Sequence, residues 1–152
     1  MITLLRTTSK NNDFIALVKH LDADLARRDG DDHAFYAQFN KIDSIKHVVV
    51  AYSNKTPVAC GAIKPYNETT MEIKRMYTTE DYRSQGIASK VLYELEQWAT
   101  ELAYKTCILE TGIKQPEAIK LYSKNGYHLI PNYGQYTNVA ESKCFEKHLN
   151  NF

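Results

Sequence analysis

Apolar residues recur along this chain in two rhythms, and the changes between them mark out its elements. Residues 2–7, Ile2-Thr3-Leu4-Leu5-Arg6-Thr7, read as a short strand. Asn11-Asn12-Asp13 then offers capping side chains, and Phe14, Leu17, Val18, Leu21 and Leu25 form one apolar stripe of a helix. Asp29-Gly30-Asp31-Asp32 breaks that stripe, and a short second helix is expected at about residues 33–39. Three strands follow. Residues 46–52 are rich in Val, Ser53-Asn54-Lys55-Thr56 is a turn, and residues 58–63 resume the strand pattern. Residues 64–69, with Pro65 and Asn67, form the next turn, and 71–77 the third strand. There the period slips: Met71 and Ile73 share a face, yet the next large apolar residue is Met76. Either a β-bulge or the snorkelling of Lys74 and Arg75 accounts for the slip.

Residues 86–104 carry the clearest helix pattern. Ile87, Val91, Leu95, Trp98 and Leu102 fall on one line, with Glu94, Glu96 and Glu101 off it. Residues 107–110 read as a compact apolar strand. Pro116 suits a helix start, Ala118, Ile119, Leu121 and Tyr122 supply its buried side, and Asn125-Gly126 stops it. Strands near 127–130 and 142–149 complete a β-α-α-β-β-β-α-β-α-β-β order. That order predicts a single α/β (α+β) domain over residues 1–152, a mixed sheet flanked by helices.

Composition narrows the functional classes. With 152 residues, 43% hydrophobic and 24% charged, the chain is an ordinary globular domain with room for a core. No apolar run approaches a membrane span, and the first residues lack a secretory pattern. Nineteen basic side chains against 18 acidic ones leave a net charge of +1, without the basic excess of a nucleic-acid binder. Cys60, Cys107 and Cys144 are far apart and odd in number, which speaks for a reducing, cytoplasmic setting rather than a disulfide framework. The five histidines (20, 33, 47, 128 and 148) show no metal-ligand spacing, so no metal is expected.

The chemistry concentrates at Arg83-Ser84-Gln85-Gly86-Ile87-Ala88, where the chain enters the long helix. A helix start leaves backbone N–H groups without internal partners and carries positive potential. Gly86 and the small Ala88 let a phosphate approach the backbone, and Arg83 adds charge-assisted bonds, so the segment suits a pyrophosphate. By itself, R-x-x-G-x-A is a weak signal, because a Gly near a helix start is common.

Its surroundings strengthen it. Glu72-Ile73-Lys74-Arg75-Met76-Tyr77-Thr78, followed by Glu80-Asp81-Tyr82-Arg83-Ser84-Gln85-Gly86-Ile87-Ala88, resembles the acyl-CoA-binding core of the GCN5-related N-acetyltransferase (GNAT) superfamily. So does the downstream run Ala118-Ile119-Lys120-Leu121-Tyr122-Ser123-Lys124-Asn125-Gly126-Tyr127. The resemblance covers most of residues 46–131 and implies a mostly antiparallel central sheet. It also implies transfer of an acetyl group from acetyl-CoA, as cosubstrate, to a primary amine. It assigns backbone groups of Met76, Tyr77 and Thr78 to the pantetheine amide and the acetyl carbonyl, and the loop Arg83, Ser84, Gln85, Gly86, Ile87, Ala88 with Ser89 to the pyrophosphate. Tyr122 occupies the place of the family's general acid beside the thioester sulfur. Gln115 stands where many members have a cofactor-contacting Asn, a departure that weakens that one contact. Glu72, 11 residues before Arg83, matches a catalytic Glu of several members, histone acetylators among them.

Elementary chemistry constrains these roles. An ammonium has no lone pair and must first lose a proton, which a carboxylate such as Glu72 can accept directly or through water, unless Glu72 is simply a strand-face carboxylate paired with Lys74. A Tyr of pKa about 10 protonates a thiolate of pKa about 8.5 only uphill, by roughly 2 kcal/mol. Either the Tyr122 pKa is lowered in place or the hydroxyl chiefly hydrogen-bonds the sulfur. Covalent catalysis is disfavoured: Cys60 and Cys107 sit within apolar strands, and no neighbour in sequence activates Cys144. Direct attack in a ternary complex is therefore expected.

The acceptor is less legible. Five Asp and two Arg between His20 and His33 form an acidic bias that either greets the substrate or solvates a helix end. Tyr133 and Tyr136 form an aromatic loop that either walls the acceptor pocket or packs on itself. A small-molecule amine is favoured over a protein terminus or Lys side chain, for want of a recognisable docking domain. A non-catalytic acyl-CoA sensor is the remaining alternative, and a homodimer is compatible with the resemblance.

Overall fold

The structure, a computed structural model, describes residues 1–29 and 45–149, so the short helix expected at 33–39 lies outside the described residues. Strand β1 (Ile2–Thr7) precedes helix α1 (Asn12–Asp29). The Asn11 side-chain oxygen accepts a hydrogen bond from the Phe14 amide at 3.0 Å, the expected N-cap. Strands β2 (His47–Ser53) and β3 (Thr56–Pro65) form a hairpin. It turns through Asn54 at φ +56°, a left-handed conformation that Asn tolerates. Next come β4 (Thr70–Thr78), a 3₁₀ turn (Glu80–Tyr82), α2 (Ile87–Glu101), β5 (Thr106–Gly112), α3 (Pro116–Lys124) and β6 (His128–Ile130). A second 3₁₀ turn (Gly134–Tyr136) leads into β7 (Ser142–His148).

These strands make one seven-stranded sheet in the order β1-β2-β3-β4-β5-β7-β6. Every neighbouring pair is antiparallel except β4–β5, which α2 joins by a crossover. The mixed, mostly antiparallel expectation is met. Both faces of the sheet's centre are covered, which explains the unbroken Val48-Val49-Val50 run. Phe14, Leu17 and Val18 of α1 pack on Val48, Val50, Cys60 and Ala62. On the other face Val91, Leu92 and Leu95 of α2 pack on Val49, Ile63, Met71 and Leu109.

Two details depart from the sequence pattern. Helix α2 stops at Glu101 instead of running to 104, because Ala103 adopts φ +71° and the Tyr104 amide turns back to the Ala99 carbonyl at 3.0 Å. Glu96, off the apolar line, is nonetheless only 2% exposed. Lys147 Nζ donates to its Oε1 at 2.8 Å and the Tyr127 hydroxyl to its Oε2 at 2.9 Å, so the buried charge is paired and hydrogen-bonded.

The slipped period of β4 is a bulge. Cys60 pairs with Tyr77 and Ala62 with Lys74, so three steps on β4 oppose two on β3. Arg75 takes the strain at φ +58°. Its side chain is 2% exposed and its Nη2 reaches Asp22 of α1 at 2.7 Å, so it is not snorkelling outward. The bulge throws Met76 across Gly61. A Cβ at Gly61 would collide with the Met76 sulfur and stand 2.9 Å from Leu95 Cδ1, so that position needs glycine for close approach.

Candidate active site

The parallel β4–β5 ladder is short. It pairs Thr70 with Thr106, Met71 with Cys107 and Glu72 with Ile108, and beyond that level the two strands run on without pairing. A strand pair that parts at its carboxyl ends opens the sheet there. Two cavities occupy the opening, of about 520 Å³ and about 110 Å³.

The larger is lined by Met76, Tyr77 and Thr78 at the end of β4, by Arg83, Ser84, Gly86, Ile87, Ala88 and Ser89, and by Gln115 and the near side of α3. Of the residues expected to hold an acyl-CoA, only Gln85 is outside this lining; its amide nitrogen donates to the Asp81 carbonyl at 3.3 Å. Gly86 caps α2 at φ +79° with no side-chain cap bond, and a Cβ there would meet nothing within 4 Å. The first amides of α2 therefore face accessible space with the positive end of the helix behind them. Arg83 does not project into that space as a lone cation. Its Nε donates to the Thr78 carbonyl at 2.8 Å, its Nη2 to Asp24 at 3.0 Å, and its guanidinium lies 5.6 Å from the Tyr77 ring centre. Burial, then the charge of Asp24, pushes the Tyr77 hydroxyl above its ordinary value. Asp22 and Asp24, part of the acidic bias read from sequence, thus tie α1 to Arg75 and Arg83. These two carboxylates bind protein cations; Asp31 and Asp32 of the same acidic stretch lie outside the described residues.

The smaller cavity takes Glu72 and Lys74 from β4, Glu110 and Thr111 from β5, and Tyr136 from the loop before β7. The Tyr133 hydroxyl donates to Glu72 Oε2 at 2.6 Å, and Lys74 Nζ stands 3.9 Å from Glu72 Oε1. Glu72 thus lines a cavity and is also paired, as the strand-face reading expects. The Ser142 hydroxyl donates to Glu110 Oε2 at 2.7 Å. Burial pushes the Lys74 ammonium below its ordinary value, against the opposing pull of Glu72 and Glu110. Tyr133 and Tyr136 pack edge to face at 5.9 Å, and burial raises both hydroxyls well above the usual range, helped at Tyr133 by Glu72 and at Tyr136 by Glu110. The aromatic loop lines the cavity through Tyr136, backs Glu72 through Tyr133 and packs on itself.

Tyr122 borders both cavities, as do Leu21, Leu25, Met76, Gln115 and Ala118. Its ring lies edge-on to Tyr127, centres 5.8 Å apart. Burial, and after it the Glu110 charge, pushes its hydroxyl well above the ordinary tyrosine value. The shift is upward, so of the two readings the site favours the one in which the hydroxyl chiefly donates a hydrogen bond. The three cysteines are buried, which raises Cys60 and Cys107 to about 12 and Cys144 to about 11. Thiols so protonated are poor nucleophiles. Among the described residues, no group of three or more His, Cys, Asp or Glu is placed to hold a metal, and no helix is long and apolar enough to cross a membrane.

Sequence reasoning passed over Glu110, and named Lys74 only as a snorkelling side chain or the partner of Glu72. The signal for Glu110 was present: in the strand alternation it falls with Ile108 on the face opposite Cys107 and Leu109, a lone charge closing an apolar run.

A sheet split beside a strand bulge, with an uncapped helix start at one side, defines an acyl-CoA-dependent transferase fold. A model of the Acetyltransferase (GNAT) family matches residues 15–127, and the chain belongs to that family of N-acetyltransferases. An "IAA acetyltransferase" of Azospirillum brasilense is 33% identical over 102 residues, 66% of this chain and 67% of that protein. A crystal structure of a Klebsiella pneumoniae protein described as an acyl-CoA N-acyltransferase superposes with a TM-score of 0.83 at 30% identity, over 99% of each chain. A GNAT acetyltransferase of Elizabethkingia anophelis, solved with acetyl-CoA bound, shares the fold at a TM-score of 0.70 and 19% identity, over 97% of this chain and 98% of that one.

Proposed function

We propose that the protein transfers the acetyl group of acetyl-CoA to a primary amine of a small molecule, by direct attack within a ternary complex. The observation that carries this reading is the meeting of two cavities at Tyr122 and Met76. A long groove beside an uncapped helix start fits a phosphate-bearing cosubstrate, and a compact polar chamber behind it fits an amine. Acetyl-CoA supplies the acetyl group as a thioester. The chain's part is to hold it on the backbone of Met76, Tyr77 and Thr78 and on the first amides of α2. The Tyr122 hydroxyl donates a hydrogen bond to the sulfur as negative charge develops there, and a carboxylate of the smaller cavity takes the proton of the incoming ammonium. The small chamber, and a relative named for IAA, favour a small acceptor over a protein. The three free, buried cysteines favour a cytoplasmic setting.

Incubation with acetyl-CoA and a panel of primary amines, followed by mass spectrometry, tests the reading. A gain of one acetyl group on a small amine supports it. Acetylation confined to peptides would replace the acceptor class, and release of coenzyme A in no case would remove the activity.

A further inference from the structure

We infer that Arg83 is a positioning residue and not a ligand of the cosubstrate's phosphates: with Asp24 it clamps helix α1 to the end of β4, and so holds the backbone that receives the pantetheine arm. This rests on the acyl-CoA groove proposed above. The motif sets Arg83 just ahead of Gly86, yet its hydrogen bonds run away from the helix start. Nε donates to the Thr78 carbonyl at 2.8 Å and Nη2 to Asp24 Oδ2 at 3.0 Å. Two left-handed residues, Ser84 at φ +64° and Gly86 at φ +79°, separate Arg83 from the first turn of α2.

Charge supports the same assignment. Asp24 lines the larger cavity together with Arg83, and its side chain is 18% exposed. A phosphate seated on the guanidinium would meet that carboxylate at close range, and two anions on one cation repel. A phosphate that displaced Asp24 would strip a mostly buried oxygen of its charge-assisted bond. Arg27, from an exposed side chain, meets only the other oxygen, Oδ1. The first amides of α2 carry no such conflict, because no side chain caps them, and the phosphates fall to that backbone.

The clamp has a second arm. Arg75, immediately before Met76, sends Nη2 to Asp22 of the same helix at 2.7 Å. The two ion pairs therefore bracket Met76, Tyr77 and Thr78. On the side away from β3 this segment has no strand partner, since the β4–β5 ladder ends at Glu72. Ties from α1 steady what strand pairing leaves open. Leu21 and Leu25 of α1 line both cavities, so the helix that holds the arm also shapes the junction where the acyl group is transferred.

The experiment uses the full chain and needs no acceptor amine. Calorimetry measures coenzyme A directly, and pantetheine, the same arm without phosphates, by displacement of coenzyme A. Arg83→Met should weaken both ligands by about tenfold, with the ratio of the two affinities kept within about twofold. A loss confined to coenzyme A would make Arg83 a phosphate ligand and overturn the inference, as would no loss for either ligand. Asp24→Asn keeps the shape and removes the charge. It too should weaken both ligands, and the double variant should lose no more than the worse single one, because both changes open one contact. Tighter coenzyme A binding by Asp24→Asn would mean a guanidinium released to a phosphate, which overturns the clamp. Arg83→Lys keeps a charge that can serve a phosphate but lacks the planar fork that bridges a carbonyl and a carboxylate. It should bind no better than Arg83→Met, and full recovery of coenzyme A affinity overturns the inference. Affinities are taken per folded molecule, checked by circular dichroism; if Arg83→Met does not fold, the isosteric Asp24→Asn carries the same comparison. If wild type binds no coenzyme A, the transferase reading fails first and takes the inference with it.

Discussion

The two cavities are built in opposite ways. Apart from three residues of α1, the larger is lined by two short stretches, 76–89 and 115–124, in which neighbours in sequence are neighbours in space. The smaller draws on α1, β4, β5, α3 and the loop before β7, one to five residues from each. The larger works mainly through backbone: a helix start, a glycine, the end of a bulged strand. The smaller works through side-chain charge, with Glu72, Lys74 and Glu110 set by register. A backbone cradle is written locally and can be read as a motif. A side-chain chamber exists only after the strands have paired.

The contrast can be broken at its strongest point. Gly86→Glu places a like charge and a Cβ at a left-handed position in the phosphate cradle, so acetyl-CoA affinity should fall by at least about a hundredfold. Circular dichroism should stay native, and calorimetry measures the loss; unchanged affinity would mean the cradle is elsewhere. Tyr122→Phe tests the junction. It deletes a hydroxyl that borders both cavities, and kcat should drop about 10²–10⁴-fold while acetyl-CoA binding is kept. Rapid-quench kinetics would separate that chemical loss from slow product release. Gly61→Ala tests whether the bulge needs room behind it. The added methyl must displace Met76 or Leu95, so unfolding in urea should show a loss of about 1–3 kcal/mol. The smallest effect is expected of Cys144→Ala. With a buried thiol raised to about 11, the variant should retain wild-type kcat, and an acetylated cysteine trapped by mass spectrometry in the wild type would reverse that view.

Legibility follows the same division. The apolar stripe of α1, the α2 stripe from Ile87 to Trp98 and the Asn125-Gly126 stop were readable because each is a local pattern; Gly126 takes φ +90° as a helix stop requires. The slip from Ile73 to Met76 marked the bulge without naming its cause, since bulging and snorkelling leave the same trace in sequence. Only the pairing of Cys60 with Tyr77 and Ala62 with Lys74 separates them. Glu96 was misplaced because a single helix cannot show that Lys147 and Tyr127 arrive from elsewhere to hold its charge. The partners of Asp22 and Asp24 were illegible for a like reason: Arg75 and Arg83 stand 53 and 59 residues away.

By itself the sequence determined which segments bury an apolar face, where helices start, and where a helix N-terminus meets small residues. Those properties depend on contacts within a few residues, and they sufficed for the fold class and for placing the proposed phosphate cradle on the lining of a cavity. The tertiary structure decided how far β4 and β5 pair before they part, which carboxylates share a cavity with Tyr122, and which charges are already spent on protein partners. These depend on register, and a shift of one residue exchanges the faces of a strand. A charge also acquires its chemical character from burial and from its neighbours across the sheet, and neither is present in the chain until it has folded.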